Sequence, residues 1–112
     1  MKKKLEQPNY KPELREKWLY RSYLVVLREK AGIRIDMLAE RLFLDKNVYY
    51  RMEDGERGHR MNALFYIRLA KELKTSIEEI INLEAEYQKE RIKMGLMKEP
   101  WYMTEEGDDD EN

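Results

Sequence analysis

Four polar side chains fall together in the segment after Asp45: Lys46, Asn47, Tyr50 and Arg51. Val48 lies among them, while Tyr49 and Met52, three positions apart, belong to the other side. Such a division arises when the segment is a helix, whose faces repeat every 3.6 residues. The chemistry of the polar side is rich in donors. Lysine or arginine donates to guanine O6 and N7, and asparagine pairs with the N6/N7 edge of adenine, each contributing roughly 1–3 kcal/mol of discrimination. A valine methyl can touch thymine, and a tyrosine can meet phosphate or sugar. A short helix with this face fits the DNA major groove. The expected base-reading set is therefore Lys46, Asn47, Val48, Tyr50 and Arg51. Arg57, His59 and Arg60, in the glycine-containing loop after this helix, are expected to grip phosphates, which sets register and affinity without reading sequence.

Other chemistries lack their residues. There is no cysteine, which excludes disulfides, thiolate metal sites and cysteine nucleophiles. His59 is the single histidine, so no metal site is expected. Ser22 and Ser76 are the only serines, and each fits a helix position without a partnered base. The run from Asp45 to Tyr49 lacks the third ligand and glycine of a calcium loop, and Gly55 with Gly58 makes no phosphate cradle. Neither catalysis nor a cofactor is expected. The start, MKKKLEQPNYK, has no apolar core of a signal peptide. No apolar stretch approaches the roughly 18–20 residues of a membrane span. The expectation is a cytoplasmic chain with no membrane contact.

The net charge of −1 conceals an asymmetry. Residues 1–63 hold 15 Lys/Arg against 10 Asp/Glu, residues 64–103 hold seven of each, and residues 104–112 hold six acids and no base. A basic front half points to a polyanionic partner.

One domain with extensions suits 112 residues. Residues 1–19 form an N-terminal extension, expected to be partly helical because Pro12 suits a first helical position and Glu13 and Glu16 suit a helix start. A first helix is expected over about 20–31, its buried stripe made of Leu24, Leu27 and Ala31, with Gly32 closing it. A second covers 35–42, with Leu38, Ala39 and Leu42 inward. Asp45 caps a third over 46–53, and Gly55 ends it. Asn62 caps a fourth over 63–73, with Tyr66, Ile67, Ala70 and Leu73 inward. Thr75 or Ser76 opens a fifth through a capping box with Glu78 or Glu79, and Gly95 ends it. Residues 20–83 make the helical domain, 84–103 a polar helix end with an apolar patch, and 104–112 an acidic tail expected to be disordered. That tail either solubilises the chain or folds over the basic face and competes with DNA. A partial heptad at Ile77, Ile80, Glu84, Tyr87, Arg91 and Met94 is interrupted by Glu84 and Arg91, which argues against a long coiled coil.

The succession LREKAG (27–32), LAERL (38–42), RMEDGER (51–57), RLAKEL (68–73) and TSIEEII (75–81) resembles the lambda-repressor-like (Xre/Cro-type) helix-turn-helix family, over about 60 of the 112 residues. The resemblance implies an all-α, compact five-helix domain. It also places Lys46, Asn47 and Arg51 where members of that family usually reach base edges. It further implies an ion pair between Arg28 and Glu53, which assigns both to the scaffold. Three departures stand out, one of them the loop before the fourth helix, which carries Gly58, His59 and Arg60 ahead of a helix slightly longer than usual. Phe43 occupies the position of the usual turn glycine, so the turn is either reshaped or holds Phe43 in a tolerated left-handed backbone. Ile35 replaces a glutamine that often touches phosphate, a role that falls to Arg34.

The function expected is a sequence-specific DNA-binding regulator, a repressor acting as a homodimer on double-stranded DNA. Two alternatives compete. One is a regulator from a toxin–antitoxin pair or a mobile element, gripping a protein partner with its C-terminal region. The other is an interaction module that has lost DNA binding, with Phe43, Ile35 and Tyr50 as the signs.

Overall fold

Side-chain caps fix where three of the helices begin. Asp45 Oδ1 accepts from the Asn47 amide at 2.8 Å, Asn62 Oδ1 from Phe65 at 2.9 Å, and Ser76 Oγ from Glu79 at 3.0 Å. Each satisfies a first-turn N–H that has no partner within its own helix. The Glu79 carboxylate accepts from the Thr75 hydroxyl at 2.9 Å, so both candidate cap residues engage that helix start.

The computed structural model describes residues 13–15, 18–59 and 61–100. Their order is β1 (Glu13–Arg15), β2 (Trp18–Tyr20), α1 (Ser22–Ala31), α2 (Ile35–Arg41), α3 (Lys46–Asp54), α4 (Ala63–Glu72) and α5 (Ile77–Lys93). The described part of the molecule is thus mostly helical, with one small antiparallel hairpin pairing Glu13 with Tyr20, Leu14 with Leu19 and Arg15 with Trp18. No helix among the described residues is long and apolar enough to cross a membrane.

At residues 13–15 and 18–20 the hairpin corrects the expectation of a partly helical extension, while residues 1–12 lie outside the described residues. Leu19 is 1% exposed between two half-buried neighbours, the alternation of a strand and not the stripe of a helix. Its carbonyl also accepts a 2.5 Å hydrogen bond from the Tyr87 hydroxyl of α5, and that oxygen would be committed inside a helix. Arg60 and residues 104–112 lie outside the described residues.

Packing keeps to the expected stripes with one change of phase. Leu24, Leu27, Leu38, Ala39, Leu42, Tyr49 and Met52 are all buried. On α4, Ala70 and Leu73 are inward, but Ile67 is 53% exposed and Leu69 takes its place at 0%. Positions 66, 69, 70 and 73 make a cleaner helical stripe than one including 67. Helix α5 runs unbroken through residues 83 and 84 to Lys93, as the expected fifth helix ending at Gly95 required. Its inward line is Ile80, Glu84 and Tyr87. The middle of the partial heptad is therefore spent on the chain's own core, while Ile77 and Met94 at its ends, and Ile81, lie outward at 38%, 45% and 42%.

Candidate nucleic-acid interface

Helices α2 and α3 are joined by residues 42–45. The Leu42 amide donates to Leu38 O at 3.0 Å, Phe43 to Glu40 O at 3.0 Å and Leu44 to Ala39 O at 2.9 Å, which winds the end of α2 tightly before Asp45 restarts the chain as helix. Phe43 takes the left-handed backbone, φ 60°, that a glycine would occupy without strain. Its ring is 83% exposed, with the Arg68 guanidinium carbon 5.3 Å from its centroid. The chain accepts the left-handed backbone at this position at the cost of one strained residue.

Helix α3 then divides as the sequence implied. Tyr49 and Met52 are 0% and 4% exposed beneath it, while Lys46, Asn47, Tyr50 and Arg51 are exposed and Val48 is half-buried. A surface groove of about 290 Å³ runs along this face, lined by Ile35, Asp36, Lys46, Asn47 and Tyr50. The groove joins the start of α2 to the first turns of α3. Arg34, also exposed, spans Asp36 with two hydrogen bonds of 3.2 and 3.3 Å. The bonding to Arg34 lowers the Asp36 pKa below the usual carboxylate range. Arg51 approaches Glu56 only at 3.9 Å, a loose surface contact that leaves the guanidinium able to turn outward. Arg57 is exposed in the loop beyond.

Arg28 Nε donates to Glu53 Oε2 at 2.7 Å and Nη2 to Oε1 at 3.2 Å, a two-point bridge from α1 to the end of α3. Glu53 is 3% exposed. The bridge is supplemented at the backbone, where the Arg21 amide donates to Glu53 O at 2.9 Å.

His59 turns its ring into the protein. Its Nε2 lies 3.0 Å from Gly55 O, which fixes that nitrogen as the donor. Nδ1 is then the acceptor, and it meets Arg21 Nη2 at 3.2 Å and Gln88 Nε2 at 3.3 Å. Both ring nitrogens are engaged inside the protein, so the expected phosphate contact of His59 is withdrawn. Burial, then the nearby positive charges of Arg21 and Arg91, pushes its pKa down to about 4. The unfolded chain takes up a proton near pH 6.5, and the folded chain refuses it until about pH 4. Stability is therefore expected to fall as pH drops from 6.5 towards 4 and to gain nothing above 6.5. Thermal unfolding across that range, compared with His59→Gln, measures the effect; equal pH dependence in both proteins would assign it to the carboxylates alone.

The residues that sequence reasoning missed are Arg21 and Glu84. Arg21 is wholly buried, its Nε 2.9 Å and Nη2 3.1 Å from the Glu84 carboxylate. Glu84 also accepts from the Tyr23 hydroxyl at 2.6 Å and from Gln88 at 2.6 Å. Burial and then the Glu84 charge raise the Tyr23 pKa well above its usual value and that of Tyr66 to about 12. For Glu84 a signal was present, since it interrupts the apolar line of Ile80 and Tyr87; Arg21 sits between the buried Leu19 and Tyr23, a line visible only in the fold. Among the described residues no cluster of three or more His, Cys, Asp or Glu side chains is placed to hold a metal ion. No family model, no curated protein and no solved structure matches this chain.

Proposed function

We propose that the chain is a sequence-specific DNA-binding regulator of the lambda-repressor-like helix-turn-helix kind, a cytoplasmic repressor that acts as a homodimer. The observation that carries this reading is the division of α3. Two of its side chains anchor it from below, Lys46, Asn47 and Tyr50 line a groove that continues to α2, and Arg51 is exposed on the same helix. The rigid placement of a donor-rich helix face is what base reading requires. Val48 is available for a thymine methyl, and Arg34 and Arg57 for phosphates. The outward Ile77 and Ile81 of α5 offer a surface to a second copy; a dimer reading two half-sites needs its α3 helices about 34–36 Å apart on successive major grooves.

Selection of bound sequences from random duplex DNA tests the proposal. A defined site should emerge, with affinity that falls as salt rises because phosphate contacts release counterions. Asn47→Ala and Arg51→Ala should each relax preference at one or two positions by roughly 1–3 kcal/mol while leaving nonspecific binding nearly intact. Equal loss on all sequences would remove both residues from the base-reading set.

A second reading, a protein-interaction module without DNA binding, draws on the exposure of Phe43 at 83%, Leu64 at 75% and Ile67 at 53%. Contiguous apolar exposure is a mark of partner surfaces, and Leu64 and Ile67, three positions apart, share a face of α4. Failure to enrich any DNA sequence, with retained folding, would favour it.

A further inference from the structure

We propose that Arg21 and Glu84 are positioning residues for contact with the DNA backbone, holding the loop after α3 so that Arg57 meets phosphate from a fixed point. The inference rests on the DNA-binding reading and assigns a role at the same interface to residues outside it.

Every N–H of the Arg21 guanidinium has a partner. Nε and Nη2 donate to Glu84, and Nη1 donates to Met52 O in the last turn of α3 and to Arg57 O at 2.9 Å. Nη2 also reaches Gly58 O at 3.2 Å and the His59 ring at 3.2 Å. The cation lies 4.4 Å from the centroid of the Tyr87 ring. One side chain thus collects three carbonyl oxygens and a ring from the exit of α3 and ties them to α5. The backbone of Arg57 is held on both sides, its amide donating to Arg51 O at 3.2 Å and its carbonyl accepting from Arg21.

Sealing the core does not need this arrangement. A buried ion pair can often be replaced by apolar residues of similar volume without loss of stability. No apolar residue, however, can gather carbonyls that point away from a loop. Arg28 and Glu53 fix the body of α3; Arg21 and Glu84 fix the loop at its exit. A cation whose backbone is already ordered loses less conformational freedom when it meets a phosphate. Base preference, set on α3 itself, should be indifferent to the loop.

The test compares duplex affinity against salt for the wild type, Arg57→Ala, Arg21→Lys and the double variant, at a temperature where melting curves show all four folded. Arg57→Ala should reduce the salt slope by about 0.9, the value of one phosphate contact. Arg21→Lys should give the same reduction with the same ranking of sequences, and the double variant no more than either single change. Glu84→Gln, which keeps the side-chain shape, serves as the second variant should Arg21→Lys fail to fold. Amide exchange at residues 56–59 should quicken in the hub variant beyond the rate set by global unfolding. An unchanged slope, additive losses or an altered sequence ranking in a folded variant would overturn the inference while leaving the DNA reading in place. A wild type without salt-dependent duplex binding would overturn both, and exchange would then report only whether the hub orders the loop.

Discussion

Replacing Glu84 with leucine is expected to lower the free energy of unfolding by about 3–5 kcal/mol, because a buried guanidinium loses its counter-charge and stays in place. Arg21 has no exposed surface and cannot turn to solvent without opening the junction between β2, the exit of α3 and α5. The Tyr23 hydroxyl and the Gln88 amide lose the same acceptor. The three loop and helix carbonyls remain on Arg21, but neutral dipoles do not balance a desolvated positive charge. Urea unfolding measures the loss as a shift of midpoint at constant slope. A paired change, Arg21→Met with Glu84→Leu, should recover much of the stability, since it removes the stranded charge. A loss under about 1 kcal/mol in the single variant would mean that water reaches the guanidinium and that the pair is not closed.

Gly55→Ala should be nearly as costly, at about 3 kcal/mol or more. Two independent causes act there. The backbone is left-handed, φ 94°, which costs a residue with a Cβ roughly 1–2 kcal/mol. A Cβ would also sit 2.0 Å from Leu19 O and 3.0 Å from the Tyr87 hydroxyl. The first of these is strand backbone and cannot swing aside; overpacking of this kind costs typically 1–3 kcal/mol. Gly32→Ala supplies the comparison, because its φ is 70° but nothing lies within 4 Å of the added carbon. It should show the backbone cost alone. Equal melting temperatures for the two variants would show that β2 withdraws freely from the end of α3, against the close approach described.

These two positions also mark the limit of what the sequence made legible. The helix starts were readable because caps are local: Asp45, Asn62 and Ser76 each act within three residues. Gly55 was readable as a helix end from its type alone, yet the closeness of Leu19 was not, since it depends on a strand that the sequence did not announce. Three-residue strands carry too little alternation to compete with a proline leading into glutamates, which resembles a helix start. The face of α3 was legible because Tyr49 and Met52 show its buried side. The Arg28–Glu53 bridge came from a resemblance, not from spacing. Nothing in spacing joins Arg21 to Glu84 across 63 positions. Glu84 looked like a fault in a seam between chains, and only packing reveals it as the counter-ion of this chain's interior. His59 was misjudged for the same reason: a loop cation is assumed to face solvent until its two nitrogens are traced.

The distance along the chain between Arg21 and Glu84 has a consequence for synthesis. A nascent polypeptide that has emerged only as far as Leu73 already contains α1 to α4 and the whole of the donor-bearing face. It still carries an unneutralised guanidinium where the interior must close. Release of residues 77–88 delivers the missing carboxylate, the phenol and the amide together. Closure of this junction thus waits for the step that completes α5, and ribosome-bound fragments ending before it should remain open at the loop beyond Gly55.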